Sequence, residues 1–125
     1  MLIDQTLITH SLVAKQTPNK LYPIATIIFH SDIDRIGEVA ILRDLQQKNS
    51  QNICRLTPEF THPETDKSRS IADPYISRKP LALSLVNGGL NIKRPAELTG
   101  NVTINNRLLV DELFVVGNEW RNGVV

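Results

Sequence analysis

Three short groups of residues could bind an anion, and each stands at the end of an apolar run. Arg55 follows one run, Ser77-Arg78-Lys79 precedes a second, and Asn105-Asn106 follows a third. Arginine offers a planar fork that matches phosphate, while Ser and Asn add neutral hydrogen-bond donors. Each cation alone is typical of a solvated surface charge, but the three groups together predict recognition of a phosphate-like ligand.

Catalytic motifs are missing around the most promising nucleophile. Ser77 has no Gly-x-Ser-x-Gly elbow, and Pro80 occupies the lysine position of a Ser-x-x-Lys pair. The sequence also contains no Gly-rich phosphate loop and no dinucleotide fingerprint. We therefore expect no enzymatic activity, no catalytic residue and no cofactor.

A metal site is the other chemistry that these residue types could support. His30, Asp32 and Asp34 alternate as three ligands on one face of a strand would. The alternation fails where the polar turn Ser31–Asp34 begins, and no further ligand cluster follows. These residues are better interpreted as solvated side chains at a strand end, so we expect no metal.

The elements that must hold the anion-binding groups are short strands. Period-two apolar patterns predict strands at Ala25–His30, Arg35–Leu42 and Asn52–Leu56. In the first of these, alternation places Ala25, Ile27 and Phe29 on one face.

Turn residues organise the rest of the chain. Asn87-Gly88-Gly89 predicts a tight hairpin between the strands Leu81–Val86 and Leu90–Lys93. A short helix is possible at Leu42–Gln47, and the polar stretch Glu59–Ser70 is interpreted as a long loop. With about eight to ten short strands between regular turns, we expect an all-β sandwich or barrel.

Composition limits the partners of the chain. It has 125 residues, 14 Lys and Arg, 13 Asp and Glu, and a net charge of +1. This near-neutral balance argues against direct capture of nucleic acid or of an anionic membrane. The single cysteine, Cys54, cannot form an internal disulfide and fits a small buried position in a cytoplasmic protein.

The domain division follows from where regular patterns begin. Residues 1–22 lack a clean period and are expected to form an N-terminal arm or an extra edge strand. Residues 23–125 are expected to form one β-domain. The chain ends on the apolar Gly123-Val124-Val125, as expected of a domain cut from a longer regulator.

Arg55, Ser77 and Asn105 resemble, in order, the ligand-binding positions of the forkhead-associated (FHA) domain. This β-sandwich module binds phosphothreonine peptides through its loops, using Gly-Arg, Ser-x-x-His and Asn-Gly motifs. The resemblance covers residues 23–125 and implies an FHA-like (SMAD/FHA) sandwich of about ten short antiparallel strands. It implies that Arg55 binds the phosphate and Ser77 contacts it.

The same resemblance assigns supporting roles to the neighbouring residues. Asn105 would hold the peptide backbone, and Asn106 stands at the turn position beside it. Arg78 and Lys79 would add charge-assisted hydrogen bonds to the phosphate.

A narrower resemblance concerns three motifs. They are similar to the FHA domain at the N-terminus of some bacterial enhancer-binding transcription activators, which depend on an alternative sigma factor. The motifs are Asp34-Arg35-Ile36-Gly37-Glu38, Arg55-Leu56-x-Pro58 and Asp73-Pro74-Tyr75-Ile76-Ser77-Arg78. This implies a cytoplasmic regulatory domain whose partner is a phosphothreonine-containing protein, or the ATPase and DNA-binding domains of its own chain.

Three departures from the family pattern motivate an alternative. Pro80 replaces a histidine, Asn106 replaces a glycine, and Cys54 replaces the glycine before the arginine. The alternative is a degenerate FHA-like domain that makes phosphate-independent contacts, either within its own chain or in a homodimer.

Overall fold

The computed structural model describes residues 1–7, 21–73, 76, 78–98 and 100–125. Within them the fold is mostly antiparallel β-sheet with little helix, so the predicted all-β class is confirmed. The strands and helices are β1 (Leu2–Leu7), β2 (Leu21–Thr26), β3 (Val39–Ile41), α1 (Arg43–Lys48), β4 (Ser50–Ile53), β5 (Phe60–Thr61), β6 (Ser68–Arg69), β7 (Leu81–Val86), β8 (Gly89–Lys93), β9 (Thr103–Ile104), β10 (Arg107–Leu108), β11 (Glu112–Val115) and α2 (Gly117–Arg121).

Two main sheets enclose the core. One has the order β1-β2-β3-β5-β6 and the other the order β11-β8-β7-β4, while β9 and β10 form a separate hairpin. One apolar cluster joins Ala25 and Phe60 of the first sheet to Leu83 and Ile92 of the second. Both sheets thus cover one sandwich-like core, Tyr22 and Ile24 of β2 form a second, small buried cluster, and β1 is an edge strand. Of the helices in the described residues, neither has the length and apolar character needed to cross a membrane.

The hairpin of β7 and β8 forms where the sequence predicts it. Asn87 and Gly88 adopt φ angles of 51° and 77°, the left-handed geometry that a tight two-residue hairpin turn requires. Val86 therefore pairs with Gly89, and the alternation of β7 turns Leu83 into the core. This hairpin is the centre of the second sheet.

The predicted strand Ala25–His30 is wrong in its position. β2 ends at Thr26, and Phe29 is 88% exposed although it was expected to share a face with Ala25 and Ile27. The cause is His30, whose ring turns inward and lies 2.8 Å from the carbonyl oxygen of Ile71. The buried hydrogen bond of His30 thus interrupts the alternation of buried and exposed side chains that the sequence predicts.

The expected long loop Glu59–Ser70 is also wrong, because it contains the small antiparallel pair of β5 and β6. Phe60 is fully buried, and the hydroxyls of Thr61 and Ser68 lie 2.9 Å apart across the pair. Strands of two residues have no readable period, so a single core aromatic residue fixes the pair instead.

Two further predicted strands are shorter than expected or displaced. Of Arg35–Leu42 only Val39–Ile41 is strand, because Arg35 lies in a 3-10 turn, Ile33–Arg35. Of Asn52–Leu56 the strand portion is shifted to Ser50–Ile53. The short helix near Leu42–Gln47 is confirmed as α1, whereas α2 was not predicted.

Candidate functional site

The pairing of β4 with β7 determines where the predicted cations lie. These neighbouring strands are antiparallel, and Ile53 at the end of β4 stands opposite Leu81 at the start of β7. The chain leaving β4 and the chain entering β7 therefore lie side by side at the same end of the sheet. Arg55 belongs to the first of these segments, and Arg78 and Lys79 belong to the second.

Arg55 links the two connecting segments. Its side chain is half-buried, and its Nε donates a 2.7 Å hydrogen bond to the carbonyl oxygen of Ile76. Its own carbonyl oxygen accepts from the amide of Ala72 at 3.4 Å. Arg55 thereby holds the segment that approaches β7 against the end of β4.

The three cations line one cavity of about 790 Å³. Arg78 and Lys79 are exposed, and no Asp or Glu is found among the described residues that line it. The remaining walls are mostly apolar and come from both sheets, from the β9–β10 hairpin and from the two chain ends. They include Met1, Ile3, Ile53, Ile76, Leu81, Leu83, Ile92, Leu98, Val102, Ile104, Val124 and Val125.

Met1, one of the lining residues, carries the terminal amine of the chain. Burial lowers the pKa of the Met1 ammonium group below its ordinary value of 8.0, because desolvation penalises the charged form. The amine therefore carries less positive charge at neutral pH than an exposed amine does. The positive character of the cavity depends mainly on Arg55, Arg78 and Lys79.

Arg94 fixes one wall of the cavity. Its guanidinium donates to the carbonyl oxygens of Leu98 at 2.7 Å, Gly100 at 2.9 Å and Leu109 at 3.1 Å. These bonds join the segment after β8 to the residue that follows β10. Leu98 and Gly100 both line the cavity, so Arg94 shapes it without reaching into it.

The predicted asparagines lie beside this cavity. Asn105 and Asn106 form the β9–β10 turn with φ angles of 50° and 66°, and they line a second cavity of about 480 Å³. The two cavities share Met1, Thr103 and Val125 as lining residues. The Oδ1 atom of Asn105 accepts a 3.0 Å hydrogen bond from the amide of Val125. Ser77, the remaining predicted site residue, lies outside the described residues.

A buried polar cluster positions the segment that leads to the cavity. Arg35 and Glu38 form an ion pair with Nε and Oε1 2.6 Å apart. The same guanidinium donates to the carbonyl oxygens of Ser70 at 2.7 Å and Ile71 at 3.0 Å. Charge-assisted bonds of this kind are stronger than neutral ones. They fix residues 70 and 71 next to Ala72, which bonds to Arg55.

The two histidines in the described part of the chain form hydrogen bonds with backbone groups. His30 holds Ile71 through Nε2, and its Nδ1 accepts from the amide of Asp32 at 2.9 Å. His62 accepts through Nδ1 from the amides of Glu64 at 3.1 Å and Thr65 at 3.3 Å. Within the described part of the chain, no group of three or more His, Cys, Asp or Glu side chains could hold a metal ion.

The sequence pattern did not reveal the apolar cavity. Its walls come from strands distant in the chain, so no local motif encodes it. The Ile76 carbonyl that accepts from Arg55 was missed as well, because a backbone acceptor has no side-chain signature. Comparisons of the chain with protein-family models, curated proteins and solved structures found no match.

Proposed function

We propose that this chain is a phosphothreonine-dependent protein-binding domain with an FHA-like fold, and that it regulates a cytoplasmic bacterial transcription activator. The observation that carries the proposal is that Arg55, Arg78 and Lys79 line one cavity. The part of the cavity that these three cations line is called its opening. The order of Arg55, Ser77 and Asn105 along the chain supports the same family.

The electrostatics of the opening suit a phosphate group. Phosphothreonine carries about −1.5 to −2 charges at neutral pH and offers three strong acceptor oxygens. Arg55 is half-buried, where a charge-assisted hydrogen bond is screened less than at the surface. Arg78 and Lys79 are exposed, so we expect them to contribute a salt-sensitive attraction.

Calorimetry with a phosphothreonine peptide library tests the proposal. We expect wild type to bind selected phosphopeptides and Arg55→Ala to lose about tenfold or more in affinity. Arg43→Ala is the matched control, because Arg43 is an exposed arginine on α1 that does not line the opening. Equal binding by wild type and Arg55→Ala, or no binding by either, would overturn the proposal.

A second candidate is a degenerate FHA-like domain that makes phosphate-independent contacts. Two observations favour it: the Oδ1 atom of Asn105 already bonds to Val125, and Phe29 and Ile33 are strongly exposed apolar side chains. Sedimentation at several concentrations, with and without phosphopeptide, separates the candidates. A monomer that binds phosphopeptide excludes the second one.

A further inference from the structure

We infer that the cavity lined by Arg55 binds a second class of ligand, a small amphipathic anion with an apolar chain. Alkyl phosphates and long-chain carboxylates share this chemistry. The inference goes beyond the proposed phosphopeptide binding, because the apolar cavity rather than the opening carries it. Both ligands would use Arg55, so they would compete.

The size of the cavity is the first argument. Its volume of about 790 Å³ falls within the range of about 300–1,000 Å³ that small-molecule sites occupy. A single side chain of a bound peptide would leave most of this volume empty.

The lining is the second argument. Ile53 and Leu83 of the second sheet face this cavity together with Ile3 of the first, and all three belong to the core cluster. Leu81, Leu98 and Val102 are half-buried and complete the walls. Such a surface gains affinity from each methylene group that it removes from water.

The position of the charges is the third argument. Arg55, Arg78 and Lys79 line the same cavity as these apolar side chains, and the described lining residues include no Asp or Glu side chain. A plain hydrocarbon would not use the cations, and inorganic phosphate would not use the apolar walls. A ligand with an anionic head and an apolar chain uses both.

A chain-length series tests the inference. Butyl, hexyl, octyl and decyl phosphate are titrated by calorimetry below their micelle concentrations. We expect the affinity to rise about fourfold per methylene until the chain fills the cavity. The alcohol of the same length should bind about tenfold more weakly or worse, because it lacks the charge. Matching carboxylates show which head group is preferred.

Two phenylalanine substitutions locate the binding. Val102→Phe enlarges one wall side chain, so the affinity should stop rising at a shorter chain length than in wild type. Val110→Phe is the matched control, because Val110 is 77% exposed and does not line the cavity. Circular dichroism and thermal melting check that each variant folds, and Leu98→Phe gives the same test if Val102→Phe does not fold.

The outcomes separate the inference from the proposed function. Equal affinity for butyl and decyl phosphate, or a chain-length dependence that is unchanged in the folded wall variant, overturns the inference and leaves phosphopeptide binding standing. A rise in affinity that ends at a shorter chain length in the wall variant supports the inference even if no phosphopeptide binds. Displacement of a bound phosphopeptide by decyl phosphate would show that the two ligands compete.

Discussion

Arg35 and Glu38 form an ion pair whose side chains are only 3% and 1% exposed. The pair closes the turn before β3, while the Arg35 guanidinium also bonds to the carbonyl oxygens of Ser70 and Ile71. Arg69 adds a longer contact of 3.8 Å to the second oxygen of Glu38. One buried charge cluster therefore joins two loops of the first sheet.

We expect Glu38→Gln to lower the free energy of unfolding by about 3 kcal/mol, since it leaves the buried Arg35 guanidinium without its counter-charge. Urea denaturation measures the change. Asp44→Asn is the control, because Asp44 and Lys48 form an exposed pair at 3.9 Å and its loss should cost under about 0.5 kcal/mol. A cost for Glu38→Gln no greater than that of the control would contradict the role of the cluster.

Arg55→Lys should weaken phosphopeptide binding by about tenfold although it keeps the positive charge. Lysine has no planar fork and cannot reproduce the Nε hydrogen bond to Ile76 while facing a phosphate. Arg78→Lys should stay within about twofold, because exposed Arg78 contributes mainly its charge. Calorimetry on the two variants compares them directly. Equal losses would show that Arg55 acts through charge alone.

Gly89→Ala should destabilise the fold by about 1–3 kcal/mol through overpacking. A Cβ atom there would lie 2.7 Å from the Val115 carbonyl oxygen and would also overlap the ring of Phe114. Adding Phe114→Ala should recover only part of the loss, because the backbone contact remains. Gly100→Ala is the neutral control, since its Cβ would meet nothing within 4 Å. Thermal melting of the variants gives the comparison, and full recovery in the double variant would refute the backbone contact.

The β9–β10 turn allows a matched pair of glycine substitutions. Asn105→Gly should cost about 1 kcal/mol, because it removes the Oδ1 acceptor for the Val125 amide. Asn106→Gly should lie within about 0.5 kcal/mol of wild type, since glycine adopts the φ angle of 66° without strain. Urea denaturation of both variants is the measurement. Equal losses would mean that the Asn105 side-chain bond does not stabilise the turn.

The predictable parts of the fold are those with local chemistry. Asn87 and Gly88 specify a hairpin by their preference for positive φ, and Asn105 with Asn106 specifies a turn for the same reason. The buried position expected for Cys54 is confirmed. For the two turns, the deciding interaction lies within a few residues of the pattern that predicts it.

The parts that could not be predicted depend on distant partners. Phe29 is exposed because His30 turns inward to Ile71, which lies far away in the sequence. Phe60 forms a strand because the core accepts its ring, and nothing in its polar neighbours indicates this. A helix of one turn such as α2 is likewise too short for a periodic signal.

The candidate site likewise has one part that the sequence could predict and one part that it could not. The meeting of Arg55 with Arg78 and Lys79 follows from strand pairing, and the sequence indicates it only by placing each group at the end of an apolar run. The Ile53–Leu81 register that fixes this meeting becomes evident only in the folded sheet. The apolar cavity required both sheets and both ends of the chain, so residue patterns could not predict it.

Because β4 pairs with β7 only in the folded chain, ligand binding at the opening can be detected as an increase in stability. Arg55 and Arg78 come together only when Ile53 and Leu81 are paired, so an anion that needs both cations has little affinity for the unfolded chain. Mass action then raises the free energy of unfolding by about 2.7 kcal/mol when the free ligand is at about a hundred times its Kd. A rise in melting temperature with ligand concentration therefore measures occupancy of the site without a label or an activity assay.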